Sequence, residues 1–401
     1  MKILLVSTSY PRFNDDSASI FLRHLAQSIG YRGHEVHVLA PGDPKSDNSQ
    51  TDDRVTIHRF DYFPGKGKKL AYGSGILANL QASKWLYLQV PFFLLAFFIS
   101  LLRLTRQIRP DVIHAHWVIP TGLVAILVGK ILKIPVVTTI HGGDAFSLQS
   151  PILQWLKKVT FRNSAAWTSN THATAAAVCG AENISPPTVI PMGVDVELFS
   201  SGDRTKYRVG LGDEDQIILF VGRLVKKKGC EVLIRAFQLV NCYYTRRVVL
   251  WIVGDGEEKT ALINLTNELG VSEYVSFIGK VPNNMLPATY AGADLFVAPS
   301  IEDCKGDTEG QGVVLLEAMA SGTTVIASQV GGIEEVIEDK VTGWLVEPGN
   351  AETLAKVIRS SLNAAGSGSG VVEQARKRVQ MYNWPVIADQ FIDLFNNIPN
   401  R

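Results

Sequence analysis

The stretch from Glu309 to Ser328, EGQGVVLLEAMASGTTVIAS, narrows the possible folds more than any other part of the chain. Gly310 and Gly312 break a helix, so Glu309 is expected on a loop. From Val313 the residues VVLLEAMA favour a helix, Gly322 stops it, and Thr324 to Ala327 reads as a short buried strand. The first turn of such a helix offers unpaired backbone N–H groups and the positive end of the dipole. Gly310, Gly312, Val313, Val314 and Leu315 therefore form a candidate cradle for a phosphate or diphosphate, since glycines let a ligand approach the backbone. Glu317 lies about one turn inside the helix and faces the same ligand from the other side of the anion. One carboxylate near each end of a phosphate-bearing ligand points to a sugar nucleotide, one acid for the sugar and one for the ribose hydroxyls.

The same alternation opens the chain. Lys2 to Thr8 reads as a buried strand, Ser9 to Ser19 as a polar loop, Ile20 to Tyr31 as a helix ended near Gly33, and Glu35 to Ala40 as the next strand. This is a βαβ unit, and its repetition gives a doubly wound parallel sheet with ligands outside the carboxyl ends of the strands. The loop ending at Ser19 is thereby placed at a ligand edge, with an ordinary surface loop as the equal alternative. Residues 42–56 read as polar and turn-rich, and Val55 to Phe60 as a strand. Asp111 to Trp117 begins as a strand with His114 and His116 on one side. A metal pair, a histidine in a cleft and a satisfied core histidine all fit, the metal least well without a carboxylate at ligand spacing. Ile134 to Ile140 is a strand with His141-Gly142-Gly143-Asp144 at its carboxyl end, where this fold class puts its chemistry; a turn with a chance histidine is the alternative. Ala165 to Ser169 and Pro187 to Ile190 complete the first set of strands.

In the second half, Gln216 to Val221 is a strand followed by Gly222-Arg223-Leu224-Val225-Lys226-Lys227-Lys228-Gly229. Three lysines in a row usually mark a solvated loop. Against that, Arg223 and Lys228 flank a strand-to-helix turn at a ligand edge, where Arg grips phosphate with two N–H groups and Lys acts as a point charge. Lys226 and Lys227 are expected to face solvent. Val248 to Val253 leads into Gly254-Asp255-Gly256, and Val275 to Ile278 into Gly279-Lys280-Val281-Pro282. Asp294 to Pro299 is the strand before the acidic loop Ser300 to Thr308, for which no role is apparent. That loop carries Cys304, expected to be inert because no histidine stands near it. Val341 to Val346 holds the last small strand, and Ala364 to Gly370 (AAGSGSG) is a break between helices. The final helix, Trp384 to Asn396, has an apolar stripe of Val386, Ile387, Phe391, Leu394 and Phe395 that must pack on something.

At 401 residues the chain is sized for two or three domains, and 46% hydrophobic residues suffice for their cores. Lys plus Arg, 39, balances Asp plus Glu, 38, so bulk charge gives no case for nucleic acid. The four cysteines (Cys179, Cys230, Cys242, Cys304) show neither metal spacing nor pairing and fit buried thiols in a reducing compartment. The first apolar run, Ile3 to Val6, is too short for a signal peptide, and a cytoplasmic protein is expected. Trp85 to Leu102 is uncharged and long enough to span a bilayer. A helix buried on the sheet leads, a surface helix near lipid follows, and a true span ranks last because it would split a βα repeat. Lys66, Lys68, Lys69, Lys84, Arg103, Arg106 and Arg109 flank it, and such cations add about 1 kcal/mol each at an anionic membrane. Peripheral contact through residues 65–109 is therefore an expectation.

Glu309 and Glu317 with seven residues between them, followed by AMASG and a strand, resemble the E-x7-E signature of retaining glycosyltransferases of family 4. Matching positions run from residue 1 to about residue 398. The resemblance implies the α/β GT-B architecture, two Rossmann-like doubly wound parallel-sheet domains facing a central cleft. It places an acceptor-side domain at 1–195, a nucleotide-sugar domain at 196–383, and a helix at 384–401 that packs back on the first. Met192-Gly193-Val194-Asp195 resembles the linker, with Phe199 as its aromatic anchor. By the same resemblance Glu309 lies by the donor sugar, and His141 contacts the sugar or the forming bond without acting as nucleophile. Arg223 and Lys228 clamp the diphosphate, Glu317 takes the ribose, and Gly254 and Val281 lie near the nucleotide. Asp144, His116 and Ser19 fall on the acceptor side. The implied donor is a UDP or GDP sugar and the acceptor a glycan or lipid-linked glycan, with no cofactor and no metal. Two positions depart from the family: Gln311 stands where an aromatic is frequent, and Asp16-Ser17-Ala18-Ser19 where a glycine is usual. Two other classes remain. A glycosidase or phosphorylase would use Glu309 and Glu317 as paired acids, yet both sit on one helix entry and not on opposite walls. A sugar-binding protein would share the fold but would not need Arg223 and Lys228.

Overall fold

The computed structural model describes all residues except 14, 15, 17, 45, 47, 48, 74, 148, 149, 179–184, 209–211, 213, 244, 245, 305, 365–368 and 399–401. Ser17, Cys179, the centre of the AAGSGSG break and the side chain of Lys66 lie outside the described residues. The chain forms two compact units, Met1–Pro191 with Trp384–Arg401, and Met192–Asn383.

The first unit holds an eight-stranded sheet in the order β3-β4-β2-β1-β5-β6-β7-β8. Its strands are β1 (Lys2–Val6), β2 (Glu35–Pro41), β3 (Ser49–Asp52), β4 (Val55–Phe60), β5 (Val112–His116), β6 (Val136–Ile140), β7 (Ala166–Ser169) and β8 (Thr188–Val189). All pairings are parallel except β3 with β4. Ile3, Leu4, Leu5 and Val6 are fully buried, as expected of a central parallel strand covered on both faces. The polar segment 42–56 is not all turn: β3 lies in it as an antiparallel edge strand, where polar residues are tolerated because one side stays open to water.

The apolar segment becomes the helix Gln89–Ile108. Phe93, Phe97, Leu101 and Leu104 bury one face, with Phe93 and Phe97 against Phe60 at ring-centroid distances of 5.4 and 5.2 Å. Gln89, which interrupts the apolar run, is buried and donates to the Gly67 carbonyl at 2.8 Å. The opposite face stays exposed.

The C-terminal helix Trp384–Asn396 packs on the helix Ile20–Tyr31 within this unit. Arg32 forks onto the Asp389 carboxylate at 2.6 and 2.8 Å and donates to the Pro385 carbonyl. Trp384 stacks on His24 at 5.9 Å. The buried stripe is Trp384, Ile387, Ala388, Phe391, Ile392 and Phe395; Val386 is exposed and Leu394 only half-buried, so the seam is rotated from the expected one.

The second unit is a parallel six-stranded sheet, β11-β10-β9-β12-β13-β14. It comprises β9 (Gln216–Val221), β10 (Val248–Val253), β11 (Val275–Gly279), β12 (Leu295–Ala298), β13 (Thr324–Ser328) and β14 (Trp344–Val346). The boundary falls before Met192, not after Asp195. Val194 bridges to Asn383 and donates its N–H to the Tyr382 carbonyl at 2.9 Å, and Val194, Val196 and Phe199 belong to the core of this unit. Of the cysteines expected to be buried, Cys230 is; Cys242 and Cys304 are exposed, one near the end of a helix and one in the acidic loop.

Candidate active site

In the second unit the turn after β9 brings Lys228 to Glu309, and the two form a half-buried ion pair. Burial alone pushes the Glu309 carboxyl up, but the Lys228 charge, reinforced by Lys227 and Arg223, outweighs it and holds the group below the usual carboxylate range. Glu309 is ionised at neutral pH. Lys227 does not face solvent. Its ammonium contacts Asp307 at 2.8 Å and the Thr308 carbonyl at 3.1 Å, because the acidic loop folds back over the lysine turn. That gives the acidic loop a role: Asp307 anchors it, and its own N–H donates to Asp303 at 3.0 Å. Lys226 is exposed as expected. Arg223 is also exposed and, among the described residues, carries no ion pair.

The helix Val313–Ser321 starts at Gly312, whose φ of +78° belongs to the left-handed region. The Gly312 carbonyl accepts the Leu315 N–H at 2.8 Å, and the Leu315 side chain is fully buried. The Leu315 amide is therefore spent, and the helix start offers the N–H groups of Val313 and Val314. A cavity of about 10 Å³, room for about one water, is lined by Lys228, Glu309, Gly312 and Val314 among others. Gly310 is buried beside it. Gln311 is buried too, and its amide is committed to the Met192 backbone.

Glu317 projects one turn further on and accepts from the Tyr290 hydroxyl at 2.7 Å. Burial pushes its carboxyl up to about 7, with the tyrosine bond opposing the shift. Gly254 has φ +136°, and a Cβ there would stand 1.8 Å from the Gly222 carbonyl oxygen, so only glycine lets the loops after β9 and β10 close on each other. The Gly254 N–H donates to the Gly279 carbonyl at 2.8 Å, which ties the loop after β11 to the same edge. Val281, just beyond, is half-buried against the core.

In the first unit β5 ends on His116 and β6 is followed by His141; His116 Nδ1 and His141 Nε2 are 3.1 Å apart. Burial lowers the pKa of both, to about 3 for His141, so both rings are neutral and one donates to the other. His141 also packs against Phe21 and Trp117, with centroids 5.2 and 5.1 Å away. His114 is a fully buried core histidine, its Nε2 2.7 Å from Thr139 Oγ1 and its ring enclosed by Phe391 and Phe395, but its buried Nδ1 has no hydrogen-bond partner among the described residues, so it is only half satisfied. Asp144 is buried, its two oxygens accepting the N–H groups of His141 at 2.8 Å and Val118 at 2.7 Å. It clasps the loops that follow β5 and β6. Burial raises its pKa to about 6 against those donors. Ser19 has φ +52° and its hydroxyl bonds that of Ser9, so the backbone takes the left-handed form without the glycine. Among the described residues no group of three His, Cys, Asp or Glu is placed to hold a metal ion.

Nothing local in the sequence marks Lys227, Asp307 or Tyr290 as site residues. Tyr290 meets Glu317 across 27 positions without any local pattern to mark it.

Residues 203–378 match the family model for group 1 glycosyl transferases, and residues 18–198 match that for glycosyltransferase family 4. An uncharacterized glycosyltransferase of Methanocaldococcus jannaschii is 29% identical, with 98% of each chain covered. Sucrose-phosphate synthase from Thermosynechococcus elongatus has a TM-score of 0.79 at 24% identity, covering 98% of both chains. Anabaena HepE in complex with UDP-glucose has a TM-score of 0.72 at 21% identity over 99% of both. The structural likenesses show the fold, and the two family models, one on each half, show the family. The chain belongs to the group 1, family 4 glycosyltransferases and has their GT-B fold.

Proposed function

We propose that this glycosyltransferase moves a sugar from a nucleoside diphosphate sugar to an acceptor hydroxyl with retention at the anomeric carbon. The observation that carries the reading is the ionised Glu309, paired with Lys228 beside the free helix start at Val313 and Val314. An anion site and a negative group adjoin, as a diphosphate next to a positively charged sugar carbon requires. Arg223, Lys228 and the two N–H groups hold the diphosphate and stabilise the charge it gains on leaving. Glu309 faces the oxocarbenium-like carbon, Glu317 takes the ribose hydroxyls, and Gly254 and Val281 border the nucleotide. His141 hydrogen-bonds the transferred sugar, and His116, Asp144 and Ser19 shape the acceptor side. The bond from the anomeric carbon to the phosphate oxygen breaks, the bond to the acceptor oxygen forms, and the acceptor proton passes to the leaving phosphate. The cations take the charge-stabilising part, so transfer is expected to persist in a chelator.

HepE holding UDP-glucose favours UDP over GDP as the first donor to try. The exposed apolar helix favours a lipid-linked or cell-surface glycan as acceptor, with the protein cytoplasmic and in peripheral contact with the membrane through residues 65–109.

The test is thermal unfolding with UDP, GDP and ADP. Ligand at about 100 times its Kd stabilises by roughly 2.7 kcal/mol, a shift of about 2–4 °C for each kcal/mol. A shift with one diphosphate, abolished in Arg223→Ala, is the expected result. No shift with any nucleotide, from folded protein, overturns the donor assignment in favour of a sugar-binding protein or a hydrolase.

A further inference from the structure

The helices Gln89–Ile108 and Leu123–Leu132 pack side by side in the first unit, and each leaves large apolar side chains in water. Phe92 and Leu95 on the first helix, and Trp85 and Leu88 in the turn before it, are more than half exposed. Half-buried Ile99 and Leu102 continue the row from Phe92 and Leu95 at alternating spacings of three and four, and exposed Arg106 ends it. On the second helix Leu127 and Ile131, one turn apart, are each about half exposed. Soluble proteins rarely leave so large an apolar surface open without a use for it.

The charges these two segments carry are of one sign. No Asp or Glu occurs from Lys84 to Arg109 or from Val118 to Lys133. Lys84, Arg103, Arg106, Lys130 and Lys133 are exposed, and among the described residues none of them is ion-paired. The nearest acids in sequence are engaged elsewhere, Asp61 with Lys68 and Asp111 with the Lys2 N–H. Apolar side chains bordered by free cations, with acids excluded, match the chemistry of an anionic bilayer surface.

We propose that the outward faces of these two helices form a docking surface for anionic lipid, on which the protein lies without spanning the membrane. The second helix widens the contact beyond the 65–109 segment. The first helix cannot be withdrawn into a bilayer, because Phe93, Phe97, Leu101 and Leu104 form part of the core of this unit. The proposal rests on the membrane-proximal reading above for its purpose, but vesicle binding requires no nucleotide, so the two fail separately.

The experiment is co-sedimentation of the full chain with vesicles of phosphatidylcholine alone and of phosphatidylcholine mixed with phosphatidylglycerol, at low and high salt. The protein is expected to bind the mixed vesicles at low salt, to be released by salt, and to ignore phosphatidylcholine. Phe92→Ser with Leu95→Ser, and separately Arg103→Glu with Arg106→Glu, are expected to weaken binding about tenfold or more, while circular dichroism and the thermal midpoint stay unchanged. Wild-type protein left in the supernatant with the mixed vesicles at low salt overturns the proposal. So does equal binding to phosphatidylcholine, or a folded variant that binds like wild type. A dimer in sedimentation velocity that Phe92→Ser with Leu95→Ser converts to monomer assigns the face to a second copy instead.

Discussion

The side-chain amide of Gln311 makes two hydrogen bonds with the backbone of a single residue, accepting the Met192 N–H at 2.7 Å and donating to the Met192 carbonyl at 2.9 Å. Met192 is the first residue of the second unit, and Gln311 stands two positions after Glu309. Gln311 thus ties the Glu309 loop to the point where the chain enters the unit that carries it. Gln311→Ala leaves two buried backbone groups unpaired, at roughly 1–3 kcal/mol each. A lowered thermal midpoint together with a raised donor KM is expected. Normal KM in a destabilised variant limits Gln311 to stability.

The Lys228–Glu309 pair gives a signed pH prediction. The folded pKa of Glu309 lies below its ordinary value of 4.5, so the pair's contribution is present above that value and lost as pH falls through the folded pKa. In Lys228→Ala the largest charge opposing burial is gone, so the carboxyl protonates at higher pH. The acid limb of the kcat profile should move up, beyond any loss of donor affinity. Glu309→Ala should lower turnover at least as much as it weakens donor binding, on the order of 10²-fold for a lost transition-state contact. Full turnover in this variant removes Glu309 from the chemistry.

Glu317 titrates the other way. Burial raises its folded pKa to about 7 from 4.5, so its contribution to stability is complete below 4.5 and lost as pH rises through about 7. Ribose hydroxyls prefer the ionised carboxylate, so donor affinity should climb with pH across the same interval. Calorimetric titration at several pH values should show this slope, and Glu317→Gln should flatten it.

His141 depends on His116 for a side-chain hydrogen bond. His116→Phe keeps the aromatic packing and removes that bond. Turnover is expected to fall by roughly tenfold, the worth of one buried hydrogen bond, with donor KM little changed and the thermal midpoint lowered because a buried His141 nitrogen loses its partner. A rise in KM alone would place His116 in binding and not in positioning.

Regular elements were legible because their signal is local. The bounds read for Ile20–Tyr31, Val55–Phe60, Gln216–Val221 and Val248–Val253 are those observed, each set by a run of apolar residues closed by glycine, proline or a charged turn. The edge strand Ser49–Asp52 escaped, since a polar strand on an open edge has no buried face to leave a pattern. Among the lysines, composition alone could not separate Lys226 from Lys227, because the difference is a loop 80 positions away that returns to Asp307.

The sequence by itself determined that this is an α/β chain with a glycine-flanked helix start behind Glu309, because βα alternation and glycine placement act over a few residues. Only tertiary structure decided which charges meet. Lys228 reaches Glu309 across 81 positions, Gln311 reaches Met192 across 119, and the helices Gln89–Ile108 and Leu123–Leu132, neither carrying an acid, pack side by side. Such contacts arise when sheet order and helix packing bring distant segments together, and burial then sets the charge each group can keep.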